Sequence, residues 1–172
     1  LKVVRRVAAW TRPAAGERAR LAGLPVWGLF GPEGFYYGFP WVNEGVDGFK
    51  LACHFGAGGE GAEAGEDPEM VDRTVHPADL EPLTAFLERR LPAAQGPVVG
   101  AGVCLYTCTP SWDFCVDFVP GEPRVLVAGG FSGHGFKFAP AIGEMAAAAL
   151  LQTGPVPGLA AFSRARHMIE PA

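Results

Sequence analysis

Several common signals are missing from this chain. Charged residues make up only 19% of its 172 residues, against 49% hydrophobic, and the net charge is −4. That balance gives no electrostatic reason to expect nucleic acid or an anionic membrane as partner. No Gly-x-Gly-x-x-Gly is read after an apolar strand, so these residues alone should not hold the pyrophosphate of a dinucleotide. The four cysteines, Cys53, Cys104, Cys108 and Cys115, form no Cys-x-x-Cys, and the histidines are scattered. No metal module is expected from that spacing. The longest apolar stretch, Met145–Leu151, is too short to cross a bilayer. No signal peptide is visible, so a reducing cytoplasm is the default expectation. There are no internal repeats. No Ser-His-Asp arrangement stands out, and Ser132 is not in a Gly-x-Ser-x-Gly elbow. The acidic run Glu60–Glu69 lacks the Asp/Asn spacing of a calcium loop and reads as a solvated loop.

Glycine (24) and proline (16) are abundant instead. Residues 1–12 read as a strand of β-branched residues with Arg5 and Arg6 among them. The chain opens at Leu1 inside that apolar run, which suggests the C-terminal piece of a longer protein. Residues 13–24 read as polar and loop-like, with a short helix over Glu17–Leu24 as the alternative. Val26–Phe30 and Phe35–Pro40 flank a Gly-Pro-Glu-Gly turn, a hairpin signal. A Gly/Asn/Asp turn over 43–48 precedes a strand at 49–56. Asp79 fits a helix N-cap, with Leu80, Leu83, Leu87 and Leu91 marking one face and Pro82 in the first turn. Strands are expected at 98–106, 114–118 and 124–128, an alanine-rich helix at 139–151, and a short helix at 159–167. The order implies an α+β fold: a mixed β-sheet followed by the last strand–loop–helix unit of an α/β domain. The expected boundary divides 1–110 from 111–172.

The densest chemistry lies in Gly129-Gly130-Phe131-Ser132-Gly133-His134-Gly135-Phe136-Lys137. Glycines permit close backbone approach and φ > 0, and the helix behind them offers unpaired N–H groups and partial positive charge. The segment suits a flat or anionic ligand. Lys137 sits where a helix dipole disfavours a cation, which an anion there would explain; a lysine pointing to water is the plainer alternative. Lys50 and His54, at i and i+4 of a strand, share one face. Lys50 is either a solvent-facing lysine on a half-buried strand or a functional cation. Cys104 and Tyr106 also share a face; a cysteine in a β run is ordinarily a small buried hydrophobe.

Four segments in order, Tyr36–Pro40, Phe49–His54, Val103–Pro110 and Gly130–Pro140, resemble the C-terminal half of the monomeric sarcosine oxidase and N-methyltryptophan oxidase family. The resemblance covers essentially the whole chain. It implies an FAD-dependent oxidase of secondary amines such as sarcosine, giving imine and H2O2. It further implies that Cys104 carries the flavin covalently, that Lys50 promotes reaction with O2, and that His54 lines the active site. Tyr37 and Tyr106 would line the substrate pocket, and Lys137 would bind the carboxylate of a small N-methyl amino acid. Gly130, Phe131, Ser132, Gly133, His134, Gly135 and Phe136 would run beside the flavin ring. An N-terminal FAD-binding segment would complete the enzyme.

The chain departs from that family where an acidic-acidic-His-Phe pattern is usual: it reads Pro110-Ser111-Trp112-Asp113-Phe114-Cys115. Two other readings stand beside the first: a glycine-oxidase or D-amino-acid-oxidase-like enzyme, and a flavin-free module or split-enzyme subunit.

Overall fold

The computed structural model describes residues 1–42, 45–62, 64–151 and 154–167. Two compact units emerge. The sheet unit comprises Arg5–Glu63 and Pro68–Cys104; the loop-and-helix unit comprises Leu1–Val4, Ala64–Asp67 and Leu105–Ala172.

A five-stranded sheet has the order β2-β3-β4-β1-β5, formed by β1 (Lys2–Thr11), β2 (Trp27–Gly31), β3 (Gly34–Val42), β4 (Gly48–Gly56) and β5 (Val98–Cys108). β2 and β3 make the expected hairpin, with Gly31 paired to Gly34 across Pro32 and Glu33. Gly34 has φ 120°, and a Cβ there would lie 2.1 Å from the Phe55 carbonyl, so only glycine fits the turn. β3 pairs with β4, and β4 with β1, both antiparallel. The expected turn at 43–48 falls partly outside the described residues.

One face of this sheet is closed by α1, helix Pro77–Arg90. Alternation along β3 and β4 sends Tyr36, Phe49 and Leu51 toward it, where they meet Leu83, Phe86 and Leu87. The Tyr36 and Phe86 rings stack at 4.1 Å, and Trp27 stacks on Phe49 at 5.6 Å. The helix begins earlier than the sequence suggests. His76, not Asp79, is the N-cap, and Pro77 takes the first turn. Proline at that position has its φ already set for a helix and needs no partner for a missing N–H. Asp79 serves from the third position, its carboxylate accepting the His76 backbone N–H at 2.8 Å. Arg5 reaches the same carboxylate at 2.6 and 2.9 Å and ties β1 to the helix start. Pro82 therefore lies beyond the first turn, inside the helix.

The letters Gly-x-Gly-x-x-Gly do occur at Gly56–Gly61, directly after β4. The chain there runs through turns, and the next helix starts only at Pro77. No helix N-terminus follows to receive a phosphate.

In the loop-and-helix unit, β6 (Cys115–Val119) and β7 (Glu122–Gly129) form an antiparallel hairpin. A glycine-rich loop leads from β7 to α2, helix Ala139–Leu151. Phe114, Val116 and Ile142 make a small core there. The expected final helix is instead two 3-10 turns, Leu159–Phe162 and Arg164–His167. The Asp117 carboxylate accepts Ser163 Oγ–H at 3.0 Å and the Arg164 N–H at 2.9 Å. These bonds hold Asp117 below the usual carboxylate range, with the Arg164 N–H the largest cause. All ladders named are antiparallel, and the mixture of sheets and helices matches the α+β expectation.

Candidate active site

The sequence-predicted residues divide between the two units. In the sheet unit, alternation decides which side chains share a face. Tyr36 is buried under α1, and burial pushes its hydroxyl up to about 12. Its neighbour Tyr37 must face the other way. Phe35, Tyr37 and Phe39 follow each other on that opposite face, and Lys50, Ala52 and His54 do so on the adjoining strand. His54 is 8% exposed and meets the edges of Phe35 at 5.8 Å and Tyr37 at 6.2 Å. Its ring sits among aromatic walls, and its backbone carbonyl accepts a hydrogen bond from Arg6 at 2.8 Å. The shared face of Lys50 and His54 read from spacing is therefore present, and Tyr37 joins it.

Lys50 lies directly opposite Trp10 on β1 and Phe39 on β3. Its Nζ is 5.2 Å from the Trp10 ring centroid and 5.0 Å from that of Phe39. Sequence spacing missed both rings, because cross-strand register is a tertiary fact. Cys104 is exposed on β5, and its thiol lies 3.6 Å from the Arg6 carbonyl. The surrounding chain desolvates it and pushes it above its ordinary value, while the charges of Lys50 and Arg6 pull it down. Cationic charge thus reaches the thiol without dominating it.

In the loop-and-helix unit, the glycine-rich segment is fixed from within. Cys108 bridges to Phe131, and Ser132 N–H donates to the Thr107 carbonyl at 3.0 Å. Ser132 is fully buried and its hydroxyl donates to the Gly130 carbonyl at 3.2 Å. Gly130, Ser132 and Gly133 all have positive φ, at 63°, 49° and 77°. A Cβ on Gly133 would come within 2.1 Å of the Tyr106 ring. The loop and Tyr106 are therefore built against each other. His134 Nδ1 lies 3.0 Å from the Ser132 carbonyl, and its ring is tilted against Phe114 at 4.9 Å. Phe136 is 96% exposed. Lys137 is exposed in the 3-10 turn Phe136–Phe138 that leads into α2, with Nζ 5.3 Å from the Phe138 ring centroid.

Tyr106, Gly129, Gly130, Gly133, Gly143 and Ala146 help line a groove of about 770 Å³ in this unit. The glycines leave backbone on part of the wall, where a flat ring can come close, while Tyr106, Phe131 and Ile142 add larger apolar surface. A flat, largely apolar ring such as that of a flavin fits this lining. Among the described residues no cluster of His, Cys, Asp and Glu is arranged to hold a metal ion. No helix among the described residues is long and apolar enough to cross a membrane.

Comparison with known proteins gives the chemistry a family. Residues 1–149 match the profile described as FAD dependent oxidoreductase (DAO). The monomeric sarcosine oxidase of Bacillus sp. (strain B-0618) is 42% identical over 117 residues, covering 66% of this chain and 28% of the relative. The N-methyl-L-tryptophan oxidase of Yersinia pestis (strain Pestoides F) is 37% identical over 171 residues, covering 95% of this chain and 42% of the relative. The chain thus spans well under half the length of these relatives. Among solved structures, fructosamine oxidase (Amadoriase II) of Aspergillus fumigatus matches 94% of the chain with TM-score 0.71 and 20% identity, over 39% of its own length. The L-proline dehydrogenase of P. horikoshii matches equally, with TM-score 0.71, 20% identity and the same shares of both chains. At those identities the likeness shows the fold.

Proposed function

We propose, for a chain that belongs to the FAD-dependent oxidoreductase family, that it forms the substrate-facing portion of an oxidase of small N-methyl amino acids. The observation that carries this reading is the convergence of Lys50, His54 and Tyr37 on the sheet face opposite α1. Bound FAD would supply the two-electron chemistry: a hydride from the C–H beside the substrate nitrogen would pass to it and the N–H proton to water, leaving an imine for water to hydrolyse, and O2 would take the two electrons with two protons as H2O2.

The protein's own residues bind, orient and bias. Lys50 is a fixed cation, and a fixed cation favours electron arrival at O2, because superoxide is an anion. His54 and Tyr37 line the substrate side, with Tyr106 as a further wall. Lys137 takes the substrate carboxylate through a charge-assisted hydrogen bond. Cys104 is the covalent anchor of the flavin. Gly130, Phe131, Ser132, Gly133, His134, Gly135 and Phe136 pass beside the ring, Ser132 through its backbone since its hydroxyl is engaged within the loop. Residues 1–110 serve as substrate-binding domain and 111–172 as the end of the FAD-binding domain.

A companion N-terminal FAD-binding segment completes the enzyme. The share of the relatives that this chain spans supports it, as does apolar surface on the loop-and-helix unit: Val125, Val127, Leu150 and Leu151 are exposed.

Absorbance after acid precipitation tests the anchor. Flavin colour that stays with the protein, and is lost in Cys104→Ser, is the expected result; colour released to the supernatant overturns covalent attachment. In the completed enzyme, Lys50→Met should slow reaction of the reduced enzyme with O2 by about a hundredfold while reduction by sarcosine changes little. Equal slowing of both half-reactions would remove the oxygen role. The short span also favours a second reading, a flavin-free module or split-enzyme subunit; colourless protein that stays inactive with its companion present is its signature.

A further inference from the structure

We infer that Trp10 and Phe39 are positioning residues for Lys50, holding its ammonium between two aromatic faces on the side of the sheet opposite α1. The inference rests on the reading of Lys50 given above and concerns residues that this reading does not use. Three adjacent strands bring the row together. Trp10 on β1 pairs with Lys50 on β4, and Lys50 pairs with Phe39 on β3. Directly opposite residues of antiparallel strands project to the same face with their side chains adjacent. The result is a Trp–Lys–Phe row across the sheet, with Nζ 5.2 and 5.0 Å from the two ring centroids. Both distances are within the range over which a ring face attracts a cation.

The charge environment strengthens the assignment. Among the described residues no carboxylate forms an ion pair with Lys50. A carboxylate partner would fix the ammonium but cancel its field. Two ring quadrupoles restrict the long, flexible lysine stem and leave the positive charge uncompensated for a ligand or a developing anion. That charge already reaches the Cys104 thiol. Trp10 is only partly buried and Phe39 is 40% exposed, so packing the core does not account for either ring.

The chain's lysines are Lys2, Lys50 and Lys137, few enough to resolve individually. Reductive methylation with 13C-formaldehyde keeps each charge and gives one methyl signal per lysine, identified by Lys→Arg variants. The Lys50 signal should lie upfield of the Lys2 signal through ring currents. Trp10→Leu and Phe39→Leu should each move it partway back, the double variant fully, and Trp10→Phe should retain most of the displacement. In the completed enzyme the double variant should slow reaction with O2 by about fivefold and leave reduction by substrate unchanged. A wild-type Lys50 signal at the Lys2 position overturns the inference. So does a double variant that loses the displacement yet reacts with O2 at the wild-type rate while Lys50→Met is slow. If Lys50→Met itself reacts normally and the displacement is present, the oxygen role fails and the aromatic placement of Lys50 stands.

Discussion

The two units use apolar residues in opposite ways. In the sheet unit, one sheet face and one helix close over each other: Phe49, Phe86, Leu51, Leu83 and Leu87 are among the most buried side chains. In the loop-and-helix unit, α2 has Glu144 as its one charged residue yet buries only Ile142 of its 13 residues. Leu151 is 73% exposed, and the middle of β7 shows Val125 and Val127 to solvent. The contrast teaches that the sheet unit carries its own cover, whereas the other unit leaves the apolar side chains of its helix and hairpin exposed among the described residues. The unclosed unit is also the one with the glycine-rich groove, while in the closed unit the sheet face opposite α1 carries Lys50, His54 and Tyr37.

Substitutions can break or sharpen this contrast. The largest effect belongs to Phe86→Ala, which empties the stack between Tyr36 and Trp27 and should cost about 4 kcal/mol in urea unfolding. Ile142→Ala, in a core with far fewer neighbours, should cost about 2 kcal/mol. Equal costs would erase the contrast. Next comes Gly133→Ala. Its φ of 77° and the 2.1 Å approach to Tyr106 leave no place for a methyl group. We expect faster amide exchange confined to 130–136 and a loss of about 2 kcal/mol. Exchange that spreads into the sheet unit would show that the units are not independent.

The smallest effect is the Arg5–Asp79 clasp at the start of α1. The Arg5 hydrogen bonds hold the Asp79 carboxyl below its usual range, helped by the His76 N–H. A carboxyl with a lowered folded value stabilises the protein fully above its unfolded value, near 4, and ceases to do so as pH falls through the folded value. Asp79→Asn should therefore cost about 1 kcal/mol at pH 7, and the gap to wild type should close as the pH falls through the lowered carboxyl value. A gap independent of pH would assign the loss to something other than the charge.

Much of the fold was legible in the chain. The hairpin around Pro32 and Glu33, the strand ending at Gly56 and the helix Ala139–Leu151 follow from turn chemistry, alternation and alanine content. The start of α1 did not, because Asp79 serves equally well as an N-cap or as the third residue of a capping box; only Pro77 and the Arg5 clasp choose between them. The 3-10 turns after Gly158 escaped for a similar reason: their order comes from Asp117, more than 40 residues earlier. At the candidate site, the shared face of Lys50 and His54 was legible from a period of two. The two rings beside Lys50 were not, since no local pattern says which residue of β1 or β3 will stand opposite it.

The sequence by itself determined the family and the glycine-rich segment, because those depend on residue type and short spacing. The tertiary structure decided which groups meet. Cross-strand register set Trp10 and Phe39 on either side of Lys50. Alternation against a buried helix turned Tyr36 inward and Tyr37 outward. The positive φ of Gly133 let the loop lie against Tyr106. Register and packing are sums over residues far apart in the chain, so they are fixed only when strands and helix close over one another.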